Sequence, residues 1–165
     1  MVEGHSMIGF IVIIILYAAV GLMAATGAIC IARKTLAPKA EQIFYGMFLV
    51  MIAAFYLAFT AYFGVATAWR LETAGVAAFA VIGLLGTRLP FALILGYSLH
   101  GIWDALHELE AHGGYSAFAP GRLTAIPLVY GVFCTAFDVA VAAYVFVRRR
   151  DFRAAWRPAG ENPVN

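Results

Sequence analysis

The sequence predicts an all-α integral membrane protein, a single bundle of about five transmembrane helices. Three observations lead there. Hydrophobic residues make up 64% of the 165-residue chain and charged residues only 12%, against about 45–50% and 25% in soluble domains. A soluble fold this small has no interior large enough to hide so much apolar surface, so lipid must be the solvent for most of it. The apolar residues also gather into long runs, and most of the basic residues collect in the gaps between those runs on one side.

The runs give five expected spans, 8–32, 43–68, 71–89, 91–109 and 123–147. The leader before the first lacks a positive n-region, and the run is longer than a signal h-region, so it reads as a span and not a cleaved signal peptide. His5 in that leader reads as solvated. Pro38 lies in the first polar loop, and Arg70 and Glu72 mark the second turn. The third span is purely apolar only over 74–86, but with its interfacial ends it reaches about 28 Å, enough for a thin bilayer. Thr87-Arg88-Leu89-Pro90 makes a tight third turn, with Pro90 suited to a helix start. His112-Gly113-Gly114 ends the fourth span, and Pro120-Gly121-Arg122 precedes the fifth. Residues 1–150 thus form one membrane domain. Residues 151–165 form a basic cytoplasmic tail, with Trp156 suited to the interface and Pro158, Gly160 and Pro163 in its last part.

With the N-terminus outside and the C-terminus inside, the inner face receives Arg33, Lys34, Lys39, Arg88, Arg148, Arg149, Arg150, Arg153 and Arg157. The outer face receives only Arg70 and Arg122. Nine against two satisfies the positive-inside rule, and dropping the third span would break it. The localisation expected is multi-pass in a cell membrane, as in a bacterial inner membrane. Ala18, Gly21, Ala25 and Ala28 form a small-residue stripe on the first helix, suited to close packing inside the bundle or between copies in a homo-oligomer. No basic run interleaved with aromatics points to nucleic acid. Cys30 and Cys134 read as small core residues, not as a disulfide or a CxxC metal site.

One polar constellation interrupts the spans. At 100° per residue, Asp104 lies about 40° to one side of His100 and His107 about 20° to the other. Glu108 and Tyr97 flank this face. His100 is ten residues past Pro90 and Asp138 ten residues before Arg148 on the next, oppositely directed helix. Both therefore sit about 15 Å deep, and Asp138 can face His100 or Asp104. A buried carboxylate needs a partner, and no lysine or arginine shares that depth. Two imidazoles and two carboxylates, His100, Asp104, His107 and Asp138, make a sensible shell for a divalent ion such as zinc, iron, manganese or copper. The same residues could instead be a hydrogen-bonded network joining two helices. Glu108 is the candidate general acid or base, and Tyr97 and Tyr130 are the tyrosines placed to line the site. Glu110 and His112 read as a solvated helix end. Haem is excluded because ligands on one helix face cannot take opposite axial positions, and there is no CxxCH. A retinal Schiff base is excluded because no span contains lysine.

His100-Gly101-Ile102-Trp103-Asp104-Ala105-Leu106-His107, followed by Ile126-Pro127-Leu128 and the segment from Cys134 to Asp138, resembles an uncharacterised family of small bacterial membrane proteins. The family pattern is H-x-x-W-D-x-x-H, then a Pro-containing helix and an aspartate. Where that pattern continues with a second histidine, this chain has Glu108. The resemblance covers roughly the last two spans and implies no activity.

Three functions fit. The first is a metal-dependent membrane enzyme acting on a lipid-like or apolar substrate, with hydrolysis favoured over isomerisation or oxidation. The second is a proton or cation relay in a transporter or channel component, using the same four residues. The third is a structural or accessory subunit. The partners implied are the bilayer, a lipid-like small molecule and, through the small-residue stripe, a second copy of the chain; no nucleic acid is expected.

Overall fold

The computed structural model describes residues 7–157. His5, the rest of the leader, and Pro158, Gly160 and Pro163 lie outside them. The described chain is five α-helices: α1 (Met7–Thr35), α2 (Pro38–Phe63), α3 (Trp69–Gly86), α4 (Pro90–His112) and α5 (Tyr130–Ala154). α1, α2, α3 and α5 are each long and apolar enough to cross a membrane. α4 is long enough, with 23 residues, but carries Asp104, Glu108 and Glu110. It turns its polar residues inward and leaves Phe91, Leu95, Leu99 and Ile102 exposed along one face.

The five-helix architecture agrees with the sequence, while several boundaries move. α2 begins at Pro38, five residues before the expected start, because proline is accommodated in a first helical turn. The residues that read as loop, Glu41 and Gln42, are fully buried. Gln42 donates to the Gly86 carbonyl at 2.8 Å and accepts from Trp156 Nε1 at 3.1 Å, and Glu41 accepts from the Tyr144 hydroxyl. Trp156 is not an isolated interfacial anchor. Its ring lies between Lys39 and Arg88, 4.2 and 3.9 Å from its centroid, which ties the tail to the basic end of the bundle. α5 runs on to Ala154, so residue 150 is inside a helix and not at its end.

The largest departure is at 113–129. Hydropathy placed the fifth span from 123, yet the helix starts at Tyr130. Pro127 disfavours helical backbone at Ile126, and Val129 takes a left-handed conformation, φ 54°. The apolar residues Leu123, Ile126 and Val129 are buried all the same, because this loop folds over the end of the bundle. Thr67 Oγ1 donates to the Gly121 carbonyl at 2.5 Å, and Phe118 packs edge-on against Trp103.

α4 packs on α5 and α3, α2 lies on α3 and reaches α4, and α1 is seated on α5. The α2–α3 contact depends on two facing glycines: a Cβ on Gly46 or Gly83 would sit 2.6 Å from the other's carbonyl oxygen. Gly21 and Ala25 of the small-residue stripe are buried, and a Cβ on Gly21 would strike the α5 backbone at Phe133. The stripe therefore serves packing within the chain. Neither cysteine is paired. Cys134 is half-buried, and Cys30, expected in the core, faces outward.

Candidate metal centre

α4 supplies His100 and Asp104 one turn apart, and α5 supplies Asp138 from the opposite direction. Gly101 lets the two helices close: a Cβ there would already touch Asp138 Cβ at 3.4 Å. Thr135 Oγ1 caps the contact by donating to the Gly101 carbonyl at 2.9 Å. His100 Nδ1 then stands 2.7 Å from Asp138 Oδ2 and 3.2 Å from Asp104 Oδ2. The depth-matched pairing of His100 with Asp138 is thus present. The three side chains are 2%, 0% and 1% exposed, and their ligand atoms lie within 4.8 Å of one another. This buried group could hold a metal ion.

Two residues not singled out in the sequence complete the setting. The Tyr56 hydroxyl of α2 donates to Asp104 Oδ1, and Phe79 of α3 meets the His100 ring edge-on, 4.9 Å between centroids. A depth signal for Tyr56 was available. It lies 14 residues beyond Gln42, the last residue of the polar loop expected from the sequence, as Asp104 lies 14 beyond Pro90, so both are about 21 Å past the expected inner boundary.

His107 does not join this group. It shares the helical face of His100 but stands seven residues further on, about 10 Å along the axis, beyond the reach of one ion bonded at about 2 Å. Its Nδ1 donates to the Trp103 carbonyl at 2.9 Å, and its Nε2 meets Glu72 Oε1 at 2.9 Å. Glu72, which read as a turn marker, is fully buried and also accepts from the Thr124 backbone N–H at 2.7 Å. Tyr97 likewise points elsewhere, donating to the Tyr45 carbonyl at 2.9 Å. Tyr130 packs edge-on against Phe59. Glu108 accepts from the Gly131 backbone N–H at 3.1 Å through Oε2, while Oε1 has no partner. Glu110 is held by Ser116 at 2.6 Å, and His112 is exposed, as expected of a helix end.

The two buried acid–imidazole groups differ in charge. Glu72 and His107 balance: whichever holds the proton between Nε2 and Oε1, the pair is neutral. His100, Asp104 and Asp138 balance only when a cation joins them or one carboxyl keeps its proton, since two carboxyl groups face one imidazole and no lysine or arginine pairs with them among the described residues. His100 Nε2 and Asp104 Oδ2 are also buried without a hydrogen-bond partner.

These features define a class, an α-helical bundle with membrane-span-like helices and a buried His/Asp cluster. The chain matches no family model, no curated protein and no solved structure.

Proposed function

We propose that the protein is a metal-dependent membrane enzyme in which His100, Asp104 and Asp138 hold a divalent transition ion. One observation carries this: two carboxyl groups set against a single imidazole in a fully buried cluster. A neutral imidazole, two carboxylates and M²⁺ sum to zero, the balance that a low-dielectric site demands. Donors about 2.1 Å from a tetrahedral ion stand about 3.4 Å apart, so separations of 2.7 and 3.2 Å need only a slight outward shift. Imidazole with carboxylates suits zinc, iron, manganese or copper. Such an ion polarises an oxygen or activates water, and Glu108, one turn beyond Asp104, is the nearest free acid or base. Because the cluster lies between membrane-span-like helices and access to it is through the membrane, the substrate is lipid-like or apolar. Hydrolysis is favoured, and the same donor set also serves isomerisation or oxidation.

The proposal extends to the small bacterial membrane proteins whose H-x-x-W-D-x-x-H element this chain resembles. Two of its residues are donors here, and its tryptophan packs over Gly75 and the His107 ring.

Elemental analysis of the detergent-purified protein tests this. Wild type is expected to carry one ion per chain, His100→Ala and Asp138→Asn none, and His107→Ala to retain it. Metal-free wild type after metal-replete expression overturns the proposal. A proton or cation relay is the second reading, supported by the buried succession Glu72, His107, Asp104, His100 and Asp138. Proton flux in liposomes that Asp138→Asn abolishes, without bound metal, would decide for it.

The membrane placement proposed is α4 spanning with the other four helices, N-terminus outside, in a bacterial inner membrane. In a chain without its native cysteines, impermeant maleimide is expected to label Tyr115→Cys on intact cells and Arg150→Cys only after lysis. The reverse pattern overturns the orientation.

A further inference from the structure

α1 and α4 both rest on α5 but keep their backbones apart. A furrow of about 480 Å³ is left between them, within the 300–1,000 Å³ typical of small-molecule sites. Its α1 wall runs from Phe10 to Leu22, about 18 Å, more than half of the ~30 Å hydrocarbon core. Val132 and Val139 of α5 form its floor. The lining is almost wholly apolar, and Glu108 is the one carboxylate on it.

Glu108 is nine-tenths buried. Gly131 occupies its Oε2, and that contact is built in, since a Cβ on Gly131 would come within 2.7 Å of Glu108 Cβ. Oε1 is left buried and without a partner. A buried acceptor that no protein group satisfies costs about 1–3 kcal/mol, and more when charged. Oε1 has almost no surface of its own, so the Glu108 side chain, which borders the furrow, must turn toward it; a molecule entering from the membrane with a donor on its head and a chain along α1 then satisfies both the carboxylate and the furrow.

We propose that the furrow between α1, α4 and α5 binds a single-chain amphiphile whose head donates a hydrogen bond to Glu108 Oε1 and whose hydrocarbon chain lies along Phe10–Leu22. Resting on the enzyme reading above, this names its substrate class. Glu108 stands four residues from Asp104, about 6 Å along α4, and Ala105 on the furrow wall adjoins Asp104. The head is thereby held beside the metal cluster.

The test is photo-crosslinking in lipid nanodiscs with hexadecanol carrying a diazirine in its chain, compared with the methyl ether of the same probe, which has no donor. The alcohol is expected to label α1 and α5 saturably, with the ether at least about tenfold weaker, as loss of a hydrogen bond to a buried charged acceptor requires. Glu108→Leu should abolish the difference between the probes, and Ala18→Phe should abolish labelling by both. Equal labelling by alcohol and ether in wild type, label confined to other helix faces, or crosslinks between two copies through this face would each overturn the proposal. The wild-type comparison needs no variant to fold. Metal content read on the same samples separates the two ideas: metal without saturable labelling sinks the furrow alone, and saturable labelling without metal sinks the enzyme reading alone.

Discussion

Glu72→Leu is expected to destabilise the protein by about 3–5 kcal/mol, the cost of removing one member of a buried charged pair. Glu72 is fully buried, and its Oε1 serves two donors from distant parts of the chain, His107 Nε2 at 2.9 Å and the Thr124 backbone N–H at 2.7 Å. Leucine fills similar space and satisfies neither. The Thr124 N–H is left without its acceptor, so the loop 113–129 loses its hold on the bundle end. Glu72→Leu combined with His107→Phe should recover much of the loss, because replacing both buried partners by apolar groups is far cheaper than orphaning one. Denaturant titration in detergent measures all three proteins. A Glu72→Leu effect below about 0.5 kcal/mol, the level of an ordinary surface change, would show that Glu72 does not tether the loop.

Glu72 also shows where sequence reading ran out. Beside Arg70 in a gap between apolar runs, it had every local mark of a solvated turn. Its partners are 35 and 52 positions away, and no local pattern encodes them. Glu41 and Gln42 were obscured in the same way, their polarity suggesting a loop while Tyr144 and Trp156, more than 100 positions on, make them interior. The opposite error occurred at Leu123, Ile126 and Val129, where burial under a folded loop gave the hydropathy of a helix. His100, Asp104 and Asp138 were legible because angle and depth on regular helices are computable from position alone. His107 satisfied the angular criterion and failed the axial one: a shared face is not a shared ion when two turns intervene.

The bundle separates two tasks that the composition merges. Among the described residues, α2 to α5 enclose every buried ionisable side chain, held close by Gly46, Gly83, Gly101 and Gly131. α1 contributes none and rests mainly on α5, where Gly21 and Ala25 are buried, with a small contact to α2. Seated on α5 and making no contact with α4, α1 forms a wall outside the cluster, across the furrow from α4. It is the fitting place for a lipid-facing entrance.

Stripping divalent metal is expected to reverse a stability ranking. Binding to the folded state alone stabilises by about 4.1 kcal/mol at a thousandfold excess over Kd, about 8–16 °C in Tm for a chain of this length. Wild type loaded with metal should therefore melt well above Asp138→Asn, and a chelator should lower the wild type and leave the variant unmoved. The chelated wild type should then be the less stable of the two. Without an ion it holds two carboxyl groups against one imidazole, with Asp138 Oδ2 and Asp104 Oδ2 both at His100 Nδ1. Asp138→Asn removes the excess charge and leaves one acid and one base, the balanced arrangement of Glu72 and His107. Acid should act in the same direction as chelator, because the ion requires the imidazole unprotonated and both carboxylates ionised, so its contribution is present at neutral pH and lost as pH falls. If the chelator leaves wild type unchanged and Asp138→Asn is the weaker protein throughout, the cluster joins helices α4 and α5 and holds no ion.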